Sequence, residues 1–246
     1  MLSFFKRKRV PAVDLSGLGT DMHSHLLPGI DDGSPDTETS IHLIKGMMEL
    51  GYRKFICTPH VMQDMYKNTP ETIGAALNLL KQALSDAGLS VNLHAAAEYL
   101  LDENFEALLQ AKAPLLTLRD NKVLIEFSFI SAPLKLNEAL FQLQINGYQP
   151  VLAHPERYPY LLQDKNLLES LRNSGCLFQL NLLSLTPYYG KMATQLAEYL
   201  LDRDYIDLLG SDLHHERHLA ALQHFGQPFH KVLRLIDRGR LLNSAW

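Results

Sequence analysis

Histidines and carboxylates recur along this sequence in short motifs that could together bind metal ions. The first motif, TDMHSHLLPGIDDGS at residues 20–34, has two histidines one residue apart, followed by an acid pair. Five histidines and four carboxylates form the candidate set: His23, His25, Asp32, His60, Glu98, Glu126, His154, Asp212 and His214. Imidazole and carboxylate together suit zinc, manganese and iron. Nine ligands are too many for one ion and suit two or three, with one carboxylate bridging.

Each candidate also has a structural interpretation when it is taken alone. A single histidine beside a strand is more often a hydrogen-bonded structural residue, and Glu98 and Glu126 could be a helix N-terminal acid and a salt-bridge partner. Asp31 and Asp32 are adjacent, so only one of them is expected to reach the centre. Four carboxylates in one pocket would repel one another unless cations neutralised them, which favours the metal site. The other histidines are expected to be structural: His42, His94, His215, His218, His224 and His230.

The elements that must position these residues are short strands alternating with helices. Apolar runs predict seven strands, near 20–25, 53–58, 91–97, 122–127, 149–153, 176–181 and 205–210. Helical periodicity lies between them, at 35–51, 70–88, 103–112, 136–147, 163–174 and 189–203. Strands alternating with helices indicate a parallel sheet. Seven such units without a linker predict one closed α/β barrel, with an open doubly wound sheet as the alternative.

The candidate ligands fall at corresponding places in these units. In a β/α barrel the carboxyl ends of the strands converge on one face, where catalytic groups collect. Six of the seven predicted strands deliver a histidine, aspartate or glutamate there, and only the sixth, 176–181, lacks an obvious candidate. His23 and His25 are two residues apart, so their side chains should point to the same side of the first strand.

Two arginines follow the set closely. Arg157 comes three residues after His154, and Arg217 comes three residues after His214. Their guanidinium groups could bind phosphate oxygens in a bidentate manner beside the metals, or they could be surface charges.

Composition and charge restrict the function classes. The formal net charge of −4 over 246 residues gives no global basic field for nucleic acid. Cys57 and Cys176 lie in apolar runs, which suggests a reducing, cytoplasmic compartment, and neither begins a C-x5-R phosphate loop. We expect no membrane-spanning segment, and at most weak contact with an anionic membrane surface through the basic residues 1–9. We divide the chain into a lead-in at 1–19 and a single domain at 20–246.

Six motifs in a fixed order carry a family resemblance. D-x-H-x-H, TPH, AAE, LIEFS, AHPER and GSDLH follow one another within about residues 20–240, and this set resembles the PHP (polymerase and histidinol phosphatase) superfamily. Within it, PGIDDGS with LIEFS and AHPER is similar to the bacterial manganese-dependent tyrosine-protein phosphatases of capsular and exopolysaccharide gene clusters. The resemblance implies a distorted (β/α)7 TIM-like barrel, the PHP fold.

The resemblance also implies a trinuclear site, with manganese as the first expectation and iron, zinc or magnesium as alternatives. The first ion would be bound by His23, His25, Glu98 and Asp212. The second would be bound by Glu98, as a bridge, with Glu126 and His154. The third would be bound by Asp32, His60 and His214.

Catalytic roles are implied for two arginines and one histidine. Arg157 matches the arginine of the family motif AH-x-ER, whereas Arg217 follows GSDLH at a longer spacing than the family arginine. Both would hold phosphate oxygens. His214 or a water held by a metal would protonate the departing phenolate.

The implied function is a metal-dependent protein-tyrosine phosphatase acting on a phosphotyrosine protein, namely the tyrosine-rich tail of a bacterial tyrosine kinase. A small-molecule phosphatase, such as one acting on histidinol phosphate, would use the same metals and is the first alternative. A non-catalytic, metal-stabilised scaffold is less favoured, because structural metal sites usually close their coordination with Cys and His. Four tyrosines in predicted loops could stack on an incoming phenol or be ordinary surface residues: Tyr158, Tyr160, Tyr188 and Tyr189.

Overall fold

Strands and helices alternate through the part of the chain that the computed structural model describes, residues 13–226 and 228–246. The strands in these ranges are β1 Thr20–Ser24, β2 Lys54–Cys57, β3 His60–Val61, β4 Asn92–Ala95, β5 Glu98–Leu100, β6 Lys122–Glu126, β7 Gln149–Ala153, β8 Leu177–Asn181 and β9 Leu208–Gly210. The basic stretch predicted at residues 1–9 lies outside the described residues.

The helices cover the faces of the strands. They are α1 Thr37–Glu49, α2 Pro70–Asp86, α3 Glu103–Gln110, α4 Leu136–Ile145, α5 Pro159–Gln163, α6 Lys165–Asn173, α7 Gly190–Asp202, α8 Glu216–Gln223 and α9 Phe229–Asp237. Short 3-10 turns occur at Ser16–Leu18, Pro155–Arg157, Leu182–Leu185, Pro187–Tyr189 and Leu242–Ala245. Helices α5, α8 and α9 were not predicted from the sequence.

The first two long helices show what fixes a helix start in this chain. The predicted start of α1 at residue 35 is wrong by two residues, because the Asp36 carboxylate accepts from the Thr39 N–H and caps the helix there. The predicted start of α2 is confirmed. Thr69 caps it in a reciprocal capping box, and a proline occupies the first helical position.

The strands form two parallel sheets. One has the order β1-β2-β4, and the other has the order β3-β5-β6-β7-β8-β9. Strands β1 and β9 are connected at their carboxyl ends, where Asp212 N–H donates to the His23 carbonyl (2.8 Å) and His25 N–H donates to the Leu213 carbonyl (2.9 Å). The predicted parallel α/β class is confirmed, and closure into one barrel stays a prediction.

The second and third predicted strands, 53–58 and 91–97, correspond to β2 and β4, and each is followed by a further short strand that was not predicted, β3 and β5. β2 pairs with β4 in one sheet, and β3 pairs with β5 in the other. Between these pairs, Ala96 N–H donates to the Cys57 carbonyl (2.8 Å) and Glu98 N–H donates to the Pro59 carbonyl (3.0 Å). Pro59, which has no amide hydrogen, lies at the break, so the pairing is irregular there but continues across it.

A small apolar cluster lies between the strands. Met22, Ile56 and Leu124 from three strands pack in it with Trp246, and burial of each such side chain contributes about 1.5–3 kcal/mol. The Lys54 ammonium donates to the Trp246 carbonyl (2.9 Å) at the amino end of β2. The carboxyl ends of the strands carry polar side chains instead. Within the described ranges, we find no helix long and apolar enough to cross a membrane.

Candidate metal centre

Seven of the nine predicted ligands lie at or beyond the carboxyl ends of β1, β6, β7 and β9, and the other two, His60 and Glu98, are the first residues of β3 and β5, just after β2 and β4 end. Four are placed by strands themselves, and five by the loops after β1, β7 and β9: His23, His60, Glu98 and Glu126, then His25, Asp32, His154, Asp212 and His214. The side chain of Asp32 is 52% exposed, whereas the other eight are at most 12% exposed. The parallel arrangement thus gathers into one buried cluster residues that are far apart in sequence.

Four of these side chains face one another. The Nε2 atoms of His23 and His25 lie 3.3 Å apart. Each lies 3.3–3.4 Å from Glu98 Oε2 and from Asp212 Oδ1. His23, His25 and Glu98 form one group that could hold a metal ion, and His23, His154 and Asp212 form another. Donors at these separations suit metal–nitrogen and metal–oxygen bonds of about 2.0–2.2 Å.

A second group of donors also contacts Glu98. His60 Nδ1 is 2.8 Å from Glu126 Oε1 and 3.1 Å from Glu98 Oε2. His154 Nε2 is 3.1 Å from the other oxygen, Oε1, of Glu98. Glu98 thus faces both groups, as a bridging carboxylate must.

A third group is more open. Asp32 Oδ1 lies 3.4 Å from His60 Nε2 and 3.6 Å from His214 Nε2. His60 therefore offers Nδ1 to the second group and Nε2 to the third. The resemblance placed it only in the third, and the hydrogen-bond distance to Glu126 brings it closer to the second.

Hydrogen bonds behind the cluster fix which nitrogen three histidines present. The Nδ1 atoms of His23, His25 and His214 lie 2.8–2.9 Å from Gln179 Oε1, Asp31 Oδ2 and the Asp212 carbonyl. An acceptor at Nδ1 places the proton there and leaves the Nε2 lone pair for a metal. These three acceptors thus orient the histidine rings so that each presents Nε2 to a metal ion.

Asp212 is held from its outer side. Its Oδ2 accepts from Arg157 Nη1 (2.7 Å) and from Asn181 Nδ2 (2.9 Å), while Oδ1 faces the first group. Asp212 and His154 both have left-handed backbone, with φ of 51° and 35°. Such conformations cost about 1–3 kcal/mol in a residue with a side chain and persist where the surroundings impose them.

The charges of the cluster call for a cation. Burial raises the pKa of Glu126 to about 7, and the adjacent Glu98 carboxylate adds to that effect. Burial also acts to raise the pKa values of Glu98 and Asp212, but the facing His23 holds both well below the usual range. Glu98 Oε2 is fully buried without a hydrogen-bond partner, although three imidazole nitrogens surround it. A divalent ion would satisfy this oxygen and relieve the repulsion.

The two arginines differ in position. The Arg157 guanidinium lies between the rings of Phe129 (4.9 Å) and Tyr189 (4.4 Å) and is bonded to Asp212, at the edge of the cluster. Arg217 is exposed on α8, and it forms no ion pair with the other described residues. The structure therefore brings Arg157, but not Arg217, into contact with the candidate ligands.

Two functional neighbours of the ligands were missed in the sequence. Gln179 and Asn181 lie on β8, the strand for which no candidate was found, and their spacing of two places both on the same side of the strand. This alternation at a strand end was the available signal, but neutral amides were not counted as candidates.

The four tyrosines named in the sequence analysis differ in burial and in hydrogen bonding. Tyr158 is fully buried, and its hydroxyl accepts from Phe127 N–H (3.0 Å). The Tyr160 hydroxyl donates to the Ser128 carbonyl (3.0 Å), Tyr189 packs on the guanidinium, and Tyr188 is 40% exposed. Tyr158 is therefore structural rather than a stacking platform.

Comparisons with known proteins agree with this geometry. A family described as "Capsular polysaccharide synthesis, CpsB/CapC" matches residues 19–223. The tyrosine-protein phosphatase YwqE of Bacillus subtilis is 33% identical over 195 residues, which are 79% of this chain and 76% of that protein. The tyrosine-protein phosphatase CpsB of Streptococcus pneumoniae is 29% identical over 79% of this chain and 82% of that protein. A crystal structure from a study of YwqE and CpsB, described as unique metal-dependent tyrosine phosphatases, aligns with a TM-score of 0.76 at 27% identity, over 92% of this chain and 94% of the other.

Proposed function

Because this chain belongs to the CpsB/CapC family of capsular polysaccharide synthesis, we propose that it is a metal-dependent protein-tyrosine phosphatase, a phosphoric monoester hydrolase. The observation that carries the proposal is the buried cluster of nine histidine and carboxylate side chains with Arg157 at its edge. Its relatives are named tyrosine-protein phosphatases, and every ligand position that the family resemblance implies is filled in this sequence.

We propose that the cluster holds two or three divalent ions, with manganese as the first expectation and iron, zinc and magnesium as alternatives. The first would be held by His23, His25, Glu98 and Asp212. The second would be held by His60 Nδ1, Glu98, Glu126 and His154. The more open group would hold a third through His60 Nε2, Asp32 and His214. When bound, the ions would supply Lewis acidity and activation of water for attack on phosphorus.

Arg157 would bind the phosphate. One of its terminal nitrogens is taken by Asp212, and the planar group is fixed between two aromatic rings, so its other N–H groups have a defined direction. A guanidinium held in this way suits phosphate oxygens, which need two parallel donors. Arg217 stays a proposed second phosphate contact, and it would have to reach the cluster from α8.

Departure of the leaving group needs little acid assistance from the protein. A phenol has a pKa of about 10, so a phenolate leaves with less acid assistance than an alkoxide. Burial and the neighbouring His25 lower the pKa of His214 to about 4. This favours His214 as a neutral ligand over its proposed role as the acid.

The substrate would be a phosphotyrosine protein, and we propose the tail of a bacterial tyrosine kinase as the natural one. The test compares a phosphotyrosine peptide with histidinol phosphate, using the full chain loaded with Mn²⁺ and the same protein after chelation. We expect turnover of the peptide that exceeds turnover of histidinol phosphate and that chelation abolishes. Undiminished turnover by the metal-free protein would refute metal dependence, and preference for histidinol phosphate would favour the small-molecule alternative.

The scaffold alternative has its own test. His154→Ala and Arg157→Ala each remove a side chain at the cluster, and we expect each to lose turnover. Circular dichroism and metal content measured on the same samples provide the control. A folded, metal-loaded variant that retained full turnover would contradict the assigned roles.

We also propose that the strands form the distorted (β/α)7 barrel of a single domain at 20–246. Two observations support closure: the irregular pairing that continues from β2 and β4 into β3 and β5, and the two backbone hydrogen bonds between the regions following β1 and β9. Cys57 and Cys176 are both buried free thiols, which fits a reducing cytoplasmic compartment.

A further inference from the structure

A groove lies beside Arg157, at the edge of the candidate metal centre. It is formed by the loop after β6, the loop after β7 and the first turn of α7. Its lining includes Phe129, Arg157, Tyr158, Pro159, Tyr189 and Met192. Because Arg157 belongs both to the groove and to the edge of the metal cluster, an occupant of the groove lies beside the phosphate site.

The polar groups of the groove do not favour binding of a polar side chain. Glu156 turns one carboxylate oxygen inward, where it accepts from Asn181 N–H (3.0 Å) and the Ser184 hydroxyl (2.7 Å). Its other oxygen is buried and has no hydrogen-bond partner. The Glu156 carboxylate is therefore closed off from an occupant, and the other charged group that lines the groove, the Arg157 guanidinium, is already bonded to Asp212.

The open side of the groove carries large apolar side chains. Met192 is 51% exposed and Phe129 is 44% exposed. The Tyr160 hydroxyl donates to the Ser128 carbonyl, which anchors the loop that carries Phe129. Contact with an apolar partner would remove the Met192 and Phe129 side chains from water. Because the loop that carries Phe129 is already anchored, binding would cost little conformational entropy there.

We infer that this groove binds an apolar side chain of the substrate protein that lies one or two residues from the phosphotyrosine. The inference rests on the proposed function, because the phosphotyrosine must occupy the metal cluster. An extended peptide advances about 3.3–3.6 Å per residue, so a neighbouring side chain can reach past Arg157 into the groove. The groove thus selects among phosphotyrosine sequences.

The test uses the full chain loaded with Mn²⁺ and three kinds of substrate. The first is free phosphotyrosine. The second is a panel of phosphotyrosine peptides with a single leucine at one of the two positions on either side. The third is the same panel with aspartate instead. The variants are Met192→Asp, and Leu79→Asp as a control with a similarly exposed apolar side chain (57%) on α2.

We expect the wild type to prefer one leucine position over aspartate there by about tenfold or more in kcat/KM, as partial burial of a leucine side chain implies. Met192→Asp should reduce kcat/KM for that peptide about tenfold more than it reduces kcat/KM for free phosphotyrosine, and Leu79→Asp should leave both at wild-type values. Equal rates for all peptides would overturn the inference while leaving the phosphatase proposal intact. An equal loss on free phosphotyrosine would also overturn it, since the groove would then hold the phenol ring itself. No turnover of any substrate would refute the proposed function instead.

Discussion

Gln179 is the residue whose removal tests the logic of the metal cluster most directly. It is fully buried on β8, and its Oε1 accepts from two donors, His23 Nδ1 (2.8 Å) and the His154 N–H (3.2 Å). Gln179→Leu keeps a side chain of similar size but removes the acceptor. Gln179→Glu keeps an oxygen there and is the matched control.

The expected loss follows from the two bonds. Each buried donor left without a partner costs about 1–3 kcal/mol, and the cost at His23 falls on the imidazole that must present Nε2 to the metal. Loss of such an orienting acceptor lowers metal affinity by about 10–100-fold, or about 1.4–2.7 kcal/mol. Gln179→Glu should bind metal as tightly as the wild type or more tightly, because a carboxylate at this acceptor raises the basicity of the imidazole.

The assay measures the dissociation constant for Mn²⁺ by competition with a chromophoric chelator. Nitrogen-15 NMR of the histidine rings in the metal-free protein reports the tautomer of His23 separately. Thermal unfolding in chelator shows whether each variant is folded. If Gln179→Leu bound Mn²⁺ with wild-type affinity and kept the Nδ1–H tautomer, the reasoning about orientation would be wrong.

Three further changes have expected outcomes. In Gly33→Ala the new Cβ would lie 2.1 Å from the His25 carbonyl oxygen. We therefore expect the free energy of unfolding to fall by about 3 kcal/mol, measured by thermal unfolding, and metal binding to weaken, measured by metal content. Gly74→Ala, in helix α2 with no atom within 4 Å of the new Cβ, is its control and should gain about 0.5–1 kcal/mol; a stable Gly33→Ala protein would contradict the predicted clash. Arg157→Lys keeps the charge but not the planar pair of donors, so kcat/KM for phosphotyrosine should fall about a hundredfold with Mn²⁺ affinity changed far less; wild-type kinetics would exclude a phosphate-binding role.

The positions of the candidate ligands could be predicted from the sequence because they interrupt apolar runs. Glu126 ends the run KVLIE, and His154 follows QPVLA, so each is a polar residue where a parallel strand must end. The carboxyl ends of parallel strands lie at one edge of the sheet. The predicted parallel arrangement therefore predicts that these residues lie close together.

The directions of individual side chains could not be predicted in the same way. His60 was placed with one metal group, but its ring is turned by Glu126 on one nitrogen and packed against Tyr66 at 5.6 Å, contacts that depend on tertiary structure. Gln179 and Asn181 were missed because a neutral amide has many ordinary uses in a strand, and its role appears only when its partner is known.

The two further short strands were also beyond sequence patterns. β3 and β5 each begin with a polar ligand, His60 or Glu98, just after a predicted strand ends, and only the backbone pairing between them shows that the strands resume there. The start of α1 was misjudged for a related reason. Ser34 and Asp36 are both good caps in sequence, but the Ser34 backbone is bonded to His25 and Gly29, and Asp36 caps the helix.

Trp246 is the only tryptophan of the chain, and its position gives the protein a built-in optical probe. It is 8% exposed, and its carbonyl accepts from Lys54 at the amino end of β2, whereas the candidate ligands lie toward the opposite ends of the strands. A strand of five residues spans about 13–17 Å, which separates the indole from the cluster. Its fluorescence should therefore shift on unfolding but change little on metal loading. One emission spectrum would then distinguish a variant that has lost its metals from one that has lost its fold.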